Sequence, residues 1–167
     1  SLEVARGQYV ELAREGEDPV WTVLGDFSDL KHNEIPEPDR SVDNTTLWVD
    51  DFNRDYYMDM LFDEGKDVNS MRQFYIEQSS GRYTVDGDVT DWVTVPGPAA
   101  SYDDGDPVGL SCGPCVWQFL TDATRGWYDA QIAAGATPEQ IDAYLSQFDV
   151  WDRYDWDGDG NFDEPDG

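Results

Sequence analysis

The order of hydrophobic and polar positions predicts short strands separated by helices. A β-branched, apolar run from Val20 to Leu24 indicates a buried strand. Two later runs, Arg82 to Val85 and Trp92 to Val95, also indicate strands, joined through Asp86-Gly87-Asp88. A Pro-rich stretch between 28 and 46 predicts a long surface loop, because proline is excluded from helix interiors and central strands.

Four further segments carry apolar residues at helical spacing, and we expect a helix in each. They run from Asp51, as the cap, to Phe62; from about 69 to 80, ended by Gly81; from about 113 to 134; and from Thr137 to about 148. Thr137-Pro138-Glu139-Gln140 forms a capping box with proline at the first helical position. One strand, two helices, two strands and two helices indicate an α/β or α+β fold with a mixed sheet and about four helices.

The acidic stretch 155–166 has the ligand spacing of an EF-hand calcium loop. Gly160 occupies the turn position, and oxygen ligands occupy positions 1, 3, 5, 7, 9 and 12, namely Asp155, Asp157, Asp159, Asn161, Asp163 and Asp166. Two carboxylates ~4 Å apart repel by about 4 kcal/mol at an effective protein dielectric, so such a loop favours a bound cation. Position 12 is aspartate rather than glutamate, which makes the loop EF-hand-like. The alternative is a solvated acidic turn.

The net charge of -27 changes the range of partners that the chain can have. It argues against nucleic acid and against anionic membrane surfaces, and it favours bound cations or a calcium-containing medium. Hydrophobic residues make up 39% of the chain and aromatic residues 14%, so it can bury a core. The length fits one domain or one part of a larger domain.

The two cysteines and the single histidine limit the chemistry. Cys112-Gly113-Pro114-Cys115 has the form of a thioredoxin active site, but the preceding loop is acidic and would raise the pKa of a thiol. This setting favours a structural disulfide between Cys112 and Cys115, with free thiols and a redox role as alternatives. His32 is expected to be a solvated loop residue, and one histidine excludes an H-E-x-x-H zinc site within this sequence.

A second acidic group, Asp103, Asp104 and Asp106, predicts either a further cation site or a solvated loop. No pair of carboxylates stands out for acid–base catalysis among so many acidic residues. No catalytic residue is therefore assigned to this chain.

Several stretches together resemble the immune inhibitor A-like secreted zinc metallopeptidases of bacteria. They are Tyr9–Leu12, His32–Arg40, Asp43–Thr46, Asp51–Tyr57, Ser70–Tyr75, Glu77–Tyr83, Gly87–Val93, Tyr154–Phe162 and Glu164–Gly167. The resemblance implies the N-terminal portion of a zincin-like domain, whose H-E-x-x-H helix, with the zinc ligands and the general base, follows further downstream. It also implies protein substrates, a secreted extracellular location and association with the C-terminal remainder of the same peptidase.

These observations predict an arm or propeptide remnant at residues 1–18 and part of a catalytic domain at 19–167. The expected function is that of a segment of a calcium-stabilised zinc metalloendopeptidase. Calcium is the expected metal of this chain, and zinc that of the downstream segment. The alternative is a stand-alone, non-enzymatic, calcium-dependent binding or adhesion module, without nucleic acid or membrane as a partner.

Overall fold

The computed structural model describes residues 2–6, 8–10, 15–65, 67–103 and 113–149. The strands in these ranges are β1 Leu2–Ala5, β2 Gln8–Val10, β3 Gly16–Thr22, β4 Gly25–Asp26, β5 Tyr83–Val89 and β6 Val93–Thr94. The helices are α1 Arg54–Phe62, α2 Met71–Gln78, α3 Gly113–Ala133 and α4 Pro138–Leu145, with one-turn 3-10 helices at His32–Glu34 and Ala99–Tyr102. This composition confirms a mixed α/β chain with four helices in the described ranges.

The central feature is a parallel strand pair that is interrupted by a β-bulge and continues as a second parallel pair. β3 pairs with β5, and β4 pairs with β6, both in parallel, whereas β1 and β2 form an antiparallel hairpin. The β4–β6 register has one more residue on the second strand than the β3–β5 register, as in a β-bulge. The buried hydroxyl of Thr90 accepts a hydrogen bond from the Leu24 N–H at 3.0 Å at this point. The extra residue therefore leaves no unpaired donor at Leu24.

The helices α1 and α2 form the crossover that a parallel strand pair requires. α1 begins two residues later than the sequence predicted, because Asn53 rather than Asp51 is the N-cap and accepts the hydrogen bond from the Tyr56 N–H. Asp51 instead accepts hydrogen bonds from the side-chain amides of Asn33 and Asn53. Ser70 caps α2, and Gly81, with a φ of 76°, follows its end.

The prediction of a break at Asp86-Gly87-Asp88 is wrong, because β5 continues through all three residues. The Asp86 carboxylate accepts a hydrogen bond from the Gly87 N–H, and the Asp88 carboxylate accepts one from the Val89 N–H. These two backbone donors are therefore satisfied without a turn. Gly87 is needed for packing, since a Cβ there would lie 1.9 Å from the Val20 carbonyl oxygen. The strand predicted at Val20 to Leu24 also begins earlier, at Gly16, within the predicted arm.

The core lies between the strand pair and the helices. Leu24, Phe62 and Val89 form a buried cluster, with Tyr57 and Trp92 packed against it. On the other side, α3 crosses the β4–β6 pair closely, since a Cβ on Gly25 would lie 2.7 Å from the Phe119 ring. Among the residues that the structure describes, no helix is long and apolar enough to cross a lipid bilayer.

The structure confirms the sequence prediction for α4. Thr137 accepts a hydrogen bond from the Gln140 N–H, the Gln140 side chain accepts one from the Thr137 N–H, and Pro138 begins the helix. Ile141 on the inner face of α4 is only 3% exposed. An eight-residue helix is not stable alone in water, so α4 depends on such contacts with the sheet and α3.

Candidate functional site

A network of three side chains joins three elements at the β5 edge. Asp88 lies on β5, Arg54 in the first turn of α1 and Tyr144 near the end of α4. The Tyr144 hydroxyl donates to one Asp88 oxygen at 2.8 Å, and the Arg54 guanidinium and the Val89 N–H donate to the other, at 2.5 and 2.8 Å. The network therefore ties both the crossover and α4 to the strand pair.

The ionisation of this network is shifted by its surroundings. Burial raises the pKa of Asp88, but hydrogen bonds from Tyr144, Arg54 and the Val89 backbone outweigh it, so the net pKa lies below the ordinary value. Burial, followed by the hydrogen bond to Asp88, raises the pKa of Tyr144 to about 12. Near neutral pH the carboxylate is charged and the phenol is neutral, which are the forms that the hydrogen bond requires.

The network forms one wall of a groove of about 330 Å³. Its other walls come from the end of β5 and from α3 and α4, with lining residues Val89, Thr90, Asp91, Trp127, Gln131, Ala136, Gln140 and Ile141. Among the described lining residues, the one cation is Arg54, which is already paired with Asp88. A tyrosine with a pKa near 12 is a hydrogen-bond donor and not a base at neutral pH. The groove thus has the chemistry of a packing contact rather than of a catalytic centre.

A second polar cluster surrounds the histidine. Asp26 on β4 is 7% exposed, and it accepts a hydrogen bond from the His32 N–H at 2.7 Å. The Nδ1 atom of His32 lies 3.1 Å from both Asp26 oxygens, and the imidazole stacks on Trp92 at 4.1 Å. The expectation of a solvated loop histidine is wrong, because the buried carboxylate draws the loop onto the end of the sheet.

The neighbouring residue extends this cluster to α1. The Asn33 side-chain oxygen accepts the Phe52 N–H at 2.9 Å, and the Trp92 indole donates to the Phe52 carbonyl at 2.7 Å. His32 and Asn33 thereby connect the β4–β6 pair with the segment that enters α1. The cluster has one histidine and one carboxylate, which is too few for a metal site.

The residues that the sequence assigned to metal ions and to the disulfide lie mostly outside the described residues. This holds for all six predicted calcium ligands, Asp155, Asp157, Asp159, Asn161, Asp163 and Asp166, and for Cys112, Asp104 and Asp106. Cys115, in the first turn of α3, has no free thiol. The described ranges contain no cluster of three or more potential metal ligands from His, Cys, Asp and Glu. The calcium loop and the Cys112–Cys115 pairing therefore stay predictions.

Comparison with known proteins identifies the family of the chain. Residues 6–167 match the family model described as immune inhibitor A peptidase M6, catalytic domain. The chain belongs to the immune inhibitor A peptidase M6 family. It is 36% identical over 158 residues to immune inhibitor A of Bacillus thuringiensis subsp. alesti, covering 90% of this chain and 21% of that protein.

A second relative extends the comparison over nearly the whole chain. The pre-pro-metalloprotease PrtV of Vibrio cholerae serotype O1 (strain M66-2) is 29% identical over 172 residues, covering 98% of this chain and 17% of PrtV. The chain therefore spans about a fifth of the length of these relatives. It is part of an M6 metallopeptidase catalytic domain, as its resemblance to the family implied.

The residues of this M6 segment do not fit the zinc ion that the family implies. The sequence contains one histidine, and the described residues contain no cluster of three or more potential metal ligands. A zinc site in a metallopeptidase needs three protein ligands, two of them commonly histidines from an H-E-x-x-H helix. No step of peptide hydrolysis is therefore assigned to a residue of this chain.

The amino-acid sequence carries only weak signals for the two clusters that the structure reveals. Asp88 follows a glycine in the segment predicted to join two strands, and Tyr144 lies in a predicted helix whose spacing indicates only that the segment packs on a core. The Asp26–His32 pair spans six residues and an intervening loop, so no short motif reveals it. The usable signal is an acidic residue two positions after a buried apolar run, because a carboxylate at that point needs donors.

Proposed function

We propose that this chain is the N-terminal part of the catalytic domain of a secreted, calcium-stabilised zinc metalloendopeptidase that hydrolyses peptide bonds in proteins. The observation that carries the proposal is the match of residues 6–167 to the M6 catalytic-domain family. The metalloprotease named among the relatives supports the same class of reaction. The zinc ligands and the general base come from residues outside this sequence, since one histidine cannot form the H-E-x-x-H motif.

The role of this chain is to build the framework on which that catalytic segment packs. The parallel strand pair is covered by helices on both faces, as in an α/β enzyme domain. Protein substrates and the remainder of the same peptidase are its expected partners. Secretion is in keeping with a calcium requirement and with a disulfide between Cys112 and Cys115.

The peptidase assignment is tested on the longer protein that contains this chain. Purified protein should cleave a quenched fluorescent protein substrate, lose this activity with a zinc-selective chelator and regain it when zinc is added. Native mass spectrometry of the same sample should show zinc and calcium masses. A zinc-loaded, folded protein without hydrolytic activity on any protein substrate would contradict the proposal and favour the non-enzymatic calcium-binding module.

The calcium proposal is tested by thermal unfolding with and without a calcium chelator. Calcium at about 100 times its dissociation constant stabilises a protein by roughly 2.7 kcal/mol, which corresponds to a melting temperature about 5–11 °C higher for a domain of this size. Asp157→Asn and Asp159→Asn should each reproduce the effect of the chelator. Asp142→Asn, a change on the exposed side of α4, is the matched control and should keep the calcium response. An identical melting curve with chelator would refute the assignment of calcium to this chain.

A further inference from the structure

The chain carries far more carboxylates than its own cations can pair. It has 37 aspartate and glutamate residues against 10 lysine and arginine residues, which leaves a net charge of -27. Arg72 shows the shortage within the structure. Its guanidinium is shared by three carboxylates, those of Glu17, Glu64 and Asp86, at distances of 3.1, 2.9 and 3.6 Å. One cation therefore serves three anions.

Two further cations are bonded to neutral oxygen atoms instead of carboxylates. The Lys31 ammonium donates to the Phe27 carbonyl at 2.8 Å and to the Thr94 hydroxyl at 2.9 Å. The Arg40 guanidinium donates to the Thr46 carbonyl at 2.8 Å. Because these side chains hold backbone and hydroxyl oxygens, they do not offset the acidic surface by ion pairing. The excess negative charge is left to the ions of the solvent.

Helix α1 shows how this excess charge acts on one element of the fold. Asp55, Asp59 and Asp63 are four residues apart, so their exposed carboxylates form a row along the helix and its C-cap. Like charges at this spacing, with Cβ atoms about 5–6 Å apart, destabilise a helix. Asp59 and Asp63 also lie at the C-terminal end, where the helix dipole disfavours an anion, and neither forms an ion pair with a described residue.

The opposite face of α1 holds the helix in place against this repulsion. Phe62 belongs to the buried cluster of the core, and Tyr57 packs against that cluster. The helix therefore has a buried face that favours the folded position and an exposed carboxylate row that opposes it. The balance between the two depends on how strongly the row repels itself.

The salt concentration sets the strength of this repulsion. The Debye length is about 10 Å at 0.1 M salt and about 3 Å at 1 M, so neighbouring carboxylates of the row interact strongly at 0.1 M and weakly at 1 M. Screening weakens favourable ion pairs as well, but repulsive pairs outnumber attractive ones when 37 acidic residues face 10 basic ones. Added salt should therefore stabilise this fold.

We propose that this chain is adapted to a medium of about molar monovalent salt, whose cations screen the acidic surface and keep α1 on the core. The requirement goes beyond the proposed function and is separate from the proposed calcium loop. Screening needs no binding site and does not distinguish sodium from potassium, whereas a calcium loop is specific for its ion.

The inference is tested by hydrogen exchange of the longer protein that contains this chain, with calcium held at a saturating concentration. Amides of α1 should exchange at least about 10-fold more slowly in 1 M than in 0.1 M NaCl, after correction with an unstructured reference peptide in the same buffers. KCl should have the same effect. Unchanged or faster exchange of α1 in 1 M NaCl, or a response that KCl does not reproduce, would overturn the inference.

Two substitutions of the central carboxylate separate screening from the general strengthening of apolar burial by salt. Asp59→Lys turns both repulsive pairs of the row into attractive ones and should slow the exchange of α1 in 0.1 M NaCl by roughly 4- to 30-fold. Asp59→Glu keeps the charge and should exchange like the unchanged protein. In 1 M NaCl the two variants should differ by less than about 3-fold. Equal salt responses of the two variants would refute the role of the carboxylate row.

Discussion

The hydrogen bond between Tyr144 and Asp88 permits a sharp test of how α4 is held to the sheet. Tyr144→Phe removes the hydroxyl that donates to Asp88 at 2.8 Å and leaves the ring in contact with Trp127. A hydrogen bond to a charged group contributes about 1.5–3 kcal/mol. Because the Asp88 side chain is 34% exposed, solvent screening reduces this value, and we expect a loss of about 1–2 kcal/mol.

The pH dependence of unfolding gives this prediction a second readout. Asp88 has a pKa below its ordinary value in the folded state, so its contribution is present above about pH 4 and is lost as the pH falls through the folded pKa. Tyr144 has a pKa raised to about 12, so its contribution is present below about pH 10 and is lost as the pH rises through about 12. Tyr144→Phe should reduce the acid-side loss and abolish the alkaline loss due to this residue.

The assay is urea unfolding at several pH values, with Tyr128→Phe as the matched control. Tyr128 is a partly buried tyrosine on α3 whose hydroxyl bonds to no described residue, so its change should stay within about 0.5 kcal/mol. A double-mutant cycle with Asp88→Asn should give a coupling free energy of about 1 kcal/mol. Equal stability of Tyr144→Phe and Tyr128→Phe at all pH values would refute the argument.

Two further changes test the packing of the strand pair. Thr90→Val should cost about 1–3 kcal/mol in urea unfolding, because it leaves the Leu24 N–H buried and unpaired; Thr124→Val on α3 is the control and should be nearly neutral. Gly87→Ala should destabilise by at least about 3 kcal/mol, because its Cβ would overlap the Val20 carbonyl. Gly126 lies within α3, and a Cβ there would be 3.6 Å from Val93, which is an ordinary contact. Gly126→Ala should therefore stabilise the protein by up to about 1 kcal/mol. Comparable stability of Thr90→Val and Thr124→Val, or of the two alanine variants, would contradict these assignments.

The sequence predicted the elements whose signals are local. The capping box at Thr137 and the end of α3 near 134, where Gly135 has a φ of 98°, depend on residues a few positions apart. The apolar run from Val20 to Leu24 identified the central strand, because a strand covered on both faces needs no polar alternation. Each of these features follows from one short stretch of chain, and the structure confirms them.

The errors arose where distant side chains satisfy the backbone. An Asp-Gly-Asp sequence usually favours a turn, but Arg54 and Arg72 reach the neighbouring carbonyls of β5 from α1 and α2. The pairing of Asp26 with His32 likewise depends on how the loop crosses the end of the sheet. The propensities of single residues carry no information about contacts between distant side chains. Neither cluster of the candidate site was therefore predictable from spacing alone.

The side chains that the local prediction missed also protect the outer edge of β5, the edge that faces away from β3. Arginine and aspartate side chains at the outer edge of β5 neutralise each other and satisfy its backbone, which protects an edge strand from unwanted pairing. Among the described residues, no side chain bonds to the backbone at the outer edge of β3, which carries an apolar run instead. The same acidic residues that suggested a turn thus protect the outer edge of β5.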